Sequence, residues 1–122
     1  MIYAVMCDGG RSPGYSYGSY VIYANNKEVL RVSKRALPRA QTSNEAEYLI
    51  LIAALQQLVK IAEKRDKIKI KTDSRLLVNH LNKEWRVDKL LPYYNELMGL
   101  LQNYQWKAEW WHRSNSVKLF GH

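Results

Sequence analysis

Up to residue 36 the apolar pattern of the chain is that of strands, and from residue 42 it is helical. This change of period narrows the architecture to a sheet begun by three consecutive strands and completed across helices. MIYAVMC (1–7) reads as a buried central strand. DGGRSPGY (8–15) is dense in turn formers and is expected to end it. YSYGSYVIYA (15–24) reads as a second strand, NN or NNK as a tight turn, and EVLRVSKRA (28–36) as the antiparallel return, so that the first three strands form a meander. TSNEAEYLILIAALQQLVKIAEKR (42–65) then reads as one long helix in which Ala46, Ile50, Ala53, Ala54, Leu58 and Ile61 share a buried face. KIKIKT (67–72) alternates as a fourth strand, and DSRLLVNHLN is a short helix beginning at Ser74. LPYYNELMGLLQNY (91–104) is a further helix with Pro92 in its first turn, and QWKAEWW (105–111) is the last strand. With right-handed crossovers, this order gives a mixed sheet with helices packed on it.

The length of 122 residues fits one domain, 1–122, with a single core. No apolar run approaches the ~20 residues a membrane span requires, so no membrane partner is expected. No basic segment followed by an apolar stretch marks a secretory signal at the N-terminus. Cys7 is the single cysteine, which excludes an internal disulfide and fits a reducing compartment. A cytoplasmic monomer is the default expectation. Nineteen Lys and Arg against eleven Asp and Glu leave a formal charge of +8, which favours a polyanionic partner, nucleic acid first.

Within this basic chain three carboxylates stand out. Asp8 follows the first strand, Asp73 follows the fourth, and Glu47 lies in the first turns of the helix that crosses between them. Ligand sites in open α/β sheets collect at the carboxyl ends of strands, so parallel neighbouring strands would bring Asp8 and Asp73 side by side. Each residue has a plain structural reading: Asp8 as a turn residue, Asp73 as a helix cap, Glu47 as a solvated side chain. Together they read as hard oxygen ligands for Mg²⁺ or Mn²⁺. Glu45 competes with Glu47: TSNE (42–45) fits a capping box that would occupy Glu45, although NEAE can be read the same way for Glu47.

With these residues in view, DGG…YGSYVIY, TSNEAEYLILIAAL, KTDSRLLVNHL and EWWHRSN together resemble type 1 ribonuclease H over essentially the whole chain. NKEWRVDKLLPYY runs directly into the next helix, which resembles the compact members without a basic protrusion. The resemblance implies a ribonuclease H-like five-stranded mixed sheet of order 3-2-1-4-5 flanked by helices. It also implies an endoribonuclease that hydrolyses the RNA strand of RNA–DNA hybrids with two divalent ions, Mg²⁺ or Mn²⁺, held by Asp8, Glu47 and Asp73.

The family pattern ends with a fourth acid at the start of a last helix, as N-x-x-A-D. Here NSVKL places Leu119, or in the ungapped alignment Phe120, at that position, and neither can bind a metal. Asn115, Ser116 and His122 are the polar substitutes. Asn115 offers a carbonyl oxygen of suitable hardness and is the expected fourth ligand, with helix capping as its competing role. Ser116 is a weak ligand, and His122, at the end of the sequence, is expected to be mobile. His112 can titrate near neutrality and is a candidate for proton transfer, whereas Arg113 keeps its proton.

For substrate, the resemblance assigns Gly9, Gly10 and Arg11 to the RNA strand, Ser43 and Asn44 to the minor groove, and Thr42 to a DNA-phosphate pocket. Ser74 and Arg75 flank the substrate near Asp73. Trp85 and Arg86, with Lys83 and Lys89, form an aromatic-basic cluster that can grip phosphates, and Arg113 is a further contact. The main alternative is a catalytically silent ribonuclease H-like module that binds nucleic acid, motivated by the missing acid. A nuclease for another substrate, such as a junction, is the third reading.

Overall fold

The computed structural model describes residues 1–122. Its elements are β1 (Ile2–Ser12), β2 (Tyr15–Ala24), β3 (Lys27–Ala36), α1 (Ser43–Leu58), β4 (Lys67–Thr72), α2 (Arg75–Leu81), α3 (Leu91–Leu101), β5 (Gln105–Trp110) and α4 (Arg113–Phe120). The five strands form one mixed sheet in the order β3-β2-β1-β4-β5, as expected. β1 runs antiparallel to β2 and parallel to β4.

Alternation along β1 sends Tyr3, Val5 and Cys7 into the main core, where they meet Tyr20 and Ile22 of β2 and Ile68 and Ile70 of β4. The same core receives α1, which is buried without a break from Ala46 to Leu55. That burial exceeds the single stripe read from its period, because the sheet packs on one side of the helix and α3 on the other. α4 lies on the opposite face of the sheet. There Arg31, which stands across from Val21, donates from Nη1 to the Leu119 carbonyl at 3.0 Å.

Three boundaries differ from the sequence reading. β1 does not stop at Cys7. It continues to Ser12, with Asp8 to Ser12 paired against Ser19 to Tyr15, so the turn is confined to Pro13 and Gly14. α1 stops at Leu58, and Ile61 is exposed rather than core-facing. Asp66 closes the turn that follows, accepting from the Glu63 N–H at 2.8 Å and leading the chain into β4. Residues 113–120 form an eight-residue helix that begins before Asn115, which therefore does not cap it. Ser116, weighed as a ligand, is buried beneath it and accepts from the Trp111 indole at 3.2 Å.

Gly9 has a packing role, not a turning one. A Cβ there would lie 2.6 Å from the Ala46 carbonyl carbon and 2.7 Å from the Glu47 nitrogen. Its cross-strand partner Gly18 would likewise meet the Ile50 side chain at 2.6 Å. The pair makes a trough into which the first turns of α1 sink. Because the atoms opposing Gly9 are backbone, they cannot rotate aside. Gly9→Ala should therefore destabilise the fold by about 1–3 kcal/mol or more, measured by urea unfolding.

Candidate active site

The register of β1 on β4 fixes the first two carboxylates. Cys7 pairs with Thr72, so Asp8 and Asp73 each stand one residue beyond the same rung of parallel strands. Glu47 comes from the first turns of α1, and its Oε2 accepts from the Gly9 N–H at 3.1 Å. One ligand oxygen from each of Asp8, Glu47 and Asp73 lies within 4.8 Å of the others. The three line a 410 Å³ cleft with Gly9, Gly10, Arg11, Tyr17, Ser43, Arg113 and His122.

Helix capping separates the two glutamates. Thr42 caps α1 by accepting from the Glu45 N–H at 3.1 Å, and Glu45 accepts from the Gln41 N–H at 3.0 Å. Glu45 is thus held at the helix start, and Glu47 is the one in the cleft. Asp73 is tethered through its backbone, since the Trp110 indole donates to its carbonyl at 3.0 Å. The Arg75 guanidinium covers that indole at 3.9 Å, and Ser74 caps α2 by accepting from the Leu77 N–H at 3.2 Å.

The cluster is electrostatically unfavourable on its own. Burial, and then the charge and hydrogen bond of Asp73, push the Asp8 carboxyl up to about 7, against the opposing pull of Arg113. Burial followed by the charges of Asp8 and Asp73 holds Glu47 well above the usual carboxylate range, with the Gly9 N–H opposing. Buried hard oxygens that resist ionising together fit divalent cations, which would relieve both burial and repulsion.

Asn115 does not join this group. Its exposed side chain donates to the His112 carbonyl at 3.2 Å, and it does not line the cleft. His112 caps α4, accepting from the Ser114 N–H at 3.1 Å, which puts Asn115 in the first turn facing outward. His112 is itself exposed, edge-on to Trp110, and outside the cleft. His122 occupies the cleft in their stead. Its Nδ1 lies 2.8 Å from Asp8 Oδ2, and its side chain is 10% exposed, so the expected mobility is not what the packing shows. The sequence reading weighed this residue and set it aside as mobile; the signal for its place was Gly121, which ends α4 at φ 80° and reverses the chain.

Of the substrate candidates, Gly9, Gly10, Arg11, Ser43 and Arg113 line the cleft. Arg11 is braced by Ser16 Oγ at 2.7 Å. Thr42, Asn44 and Arg86 line a second, 550 Å³ cavity with His80 and Lys89, while Trp85 stands half-exposed outside both.

The family model described as reverse transcriptase-like matches residues 6–118. The chain belongs to this family. Its structural relatives are ribonuclease H1 domains, and the direct passage from α2 to α3 is that of their compact form. The bifunctional protein Rv2228c of Mycobacterium tuberculosis is 36% identical over 112 residues, which cover 84% of this chain and 30% of that protein. The chain thus spans under a third of the length of the mycobacterial relatives it matches. The N-terminal ribonuclease H domain of Rv2228c superposes with a TM-score of 0.85 over 96% of this chain and 92% of that one; that longer superposition gives 26% identity. LC11 ribonuclease H1, solved in complex with an RNA/DNA hybrid, superposes with a TM-score of 0.82 at 19% identity, covering 95% and 89% of the two chains.

The raised carboxyls of this ribonuclease H-like site give a pH dependence of definite sign. Asp8 is protonated in both folded and unfolded chains below its ordinary value of 3.8, so its ionisation then costs the fold nothing. The cost grows as pH rises from there and is complete above about 7. Metal-free protein should therefore melt at lower temperature at pH 8 than at pH 5 in calorimetry. Asp8→Asn should flatten that difference, and added Mg²⁺ or Mn²⁺ should raise the melting temperature more at pH 8.

Proposed function

We propose that the protein is a ribonuclease H that cleaves the RNA strand of RNA–DNA hybrids at Asp8, Glu47 and Asp73, with two divalent ions present when substrate is bound. The observation that carries the reading is the meeting of these three carboxylates in one cleft that Gly9 and Gly10 also line. Divalent cations on these oxygens supply an activated water and offset charge at the scissile phosphate.

The chain's own groups account for the rest. Gly10 lines the cleft without a side chain, which would let the RNA backbone approach β1 closely. Arg113 lies close enough to Asp8 to lower its carboxyl and can share a phosphate as a fixed positive charge. Thr42, Asn44, Arg86 and Lys89 supply donors in the neighbouring cavity, where a phosphate of the DNA strand would be held. The excess of nineteen basic over eleven acidic residues favours such a polyanion. A hybrid is also the bound ligand of LC11 ribonuclease H1. The absence of an acid at the fourth position favours the second reading, a module that binds hybrids without cutting them.

A labelled RNA–DNA hybrid, double-stranded RNA and double-stranded DNA, each incubated with Mg²⁺ and with Mn²⁺, decide between these readings. The expected product is a cut RNA strand from the hybrid alone. Asp8→Asn, Glu47→Gln and Asp73→Asn should each slow cleavage by ~100-fold or more. Asn115→Ala should leave the rate unchanged. Tight hybrid binding with no cleavage in either metal would select the silent module.

A further inference from the structure

His122 is held from both sides of its ring. Nδ1 lies 2.8 Å from Asp8 Oδ2, and Nε2 lies 2.6 Å from Ser19 Oγ. Ser19 is fully buried and stands directly across the β1–β2 ladder from Asp8, so the imidazole bridges a cross-strand pair. Ser19 is held in turn: the Lys34 N–H donates to its Oγ at 2.9 Å. That donation depends on a bulge. Gly18 pairs with Arg35 and Tyr20 with Val32, which leaves Ser33 and Lys34 together opposite Ser19. Lys34 has φ 48°, a left-handed conformation that a lysine adopts at a cost. Bulges re-aim groups beside functional sites, and this one aims a backbone donor at Ser19.

The form of Asp8 that can hold a cation is the carboxylate, which only accepts, so in that form Nδ1 faces it with the proton. A neutral ring then accepts at Nε2, and the Ser19 hydroxyl donates to it. Edge-on contact with Tyr17 at 5.1 Å and stacking on Phe120 at 5.9 Å lock the ring plane. Gly121, left-handed at φ 80°, turns the chain so that the ring can enter the cleft.

We propose that His122 is the positioning residue for Asp8, a group that enters the acidic cleft from the C-terminal end of α4. It holds Asp8 Oδ2 at 2.8 Å, so that the Asp8 carboxylate would keep its place beside Glu47 and Asp73 when a cation is bound. The chain Lys34–Ser19–His122–Asp8 is its support. The inference rests on the metal-site reading above and deepens it.

The test is calorimetric titration of Mn²⁺ and Mg²⁺ into the free protein, without nucleic acid, for wild type, His122→Ala, His122→Asn and Ser19→Ala. Thermal melts confirm that each is folded. Groups that orient a metal ligand typically contribute ~10–100-fold to metal affinity. His122→Ala should therefore weaken cation binding about tenfold or more. His122→Asn should recover most of the loss, because its amide nitrogen donates from the place of Nδ1, and Ser19→Ala should fall between. On the hybrid, His122→Ala should lower kcat and leave KM unchanged. Equal cation affinity in wild type and His122→Ala overturns the inference, as does His122→Asn behaving like His122→Ala. If wild type cuts no hybrid but His122→Ala still weakens the cation, the nuclease reading fails and the positioning role stands.

Discussion

Glu47 and Asp8 reach one point from opposite faces of a sheet, and they do so because Gly9 has no side chain. Cys7 points into the main core, so the alternation of β1 sends Asp8 to the other face. Glu47 belongs to α1, which packs on the core side. The carboxylates can meet only where the helix backbone comes into contact with the strand backbone, and at Gly9 the space for a Cβ is already filled by Ala46 and Glu47 main-chain atoms. The hydrogen bond from the Gly9 N–H to Glu47 then fixes the distance. Burial of α1 along Ala46 to Leu55 supplies the force that holds this contact shut.

Around that contact, charge is arranged in opposition. Three carboxylates, two of them buried, repel one another, and the buried two are pushed toward the protonated form. Arg113 and His122 answer from the α4 side, one by charge and one by the close approach of its Nδ1 to Asp8. Trp110 holds Asp73 by its carbonyl and leaves its carboxylate free to bind. Strain at Lys34 fits the same pattern, since unfavourable backbone persists where surrounding contacts hold it in place for a site.

Much of this was legible in the residues. The meander, the change to a helical period and the alternation in KIKIKT put Glu47 in the first turns of α1, Asp73 just past β4 and Asp8 on the strand beside β4, while the choice between Glu45 and Glu47 stayed open until the Thr42 cap was seen to hold Glu45. Asp8–Ser12 misled because glycine-rich segments are usually turns, whereas here Gly9 and Gly10 serve an extended strand under a helix. Ile61 misled because a helical period does not reveal where a buried Asp66 closes the following turn. The place of His122 was hidden for another reason. It depends on how His112 caps α4 and how Gly121 reverses the chain, both set by tertiary packing.

The rung joining Cys7 to Thr72 has a consequence for how the site comes into being. Asp8 and Asp73 are more than half the chain apart in sequence, and no local element brings them near each other. Pairing of β1 with β4 must wait for the intervening meander and helix, so the site belongs to the slow, non-local part of folding. A slip of one residue in that pairing would turn one carboxylate to the wrong face. Cation binding at this cleft would therefore report on strand register, since a partly folded chain carries the three acids as ordinary, solvated side chains.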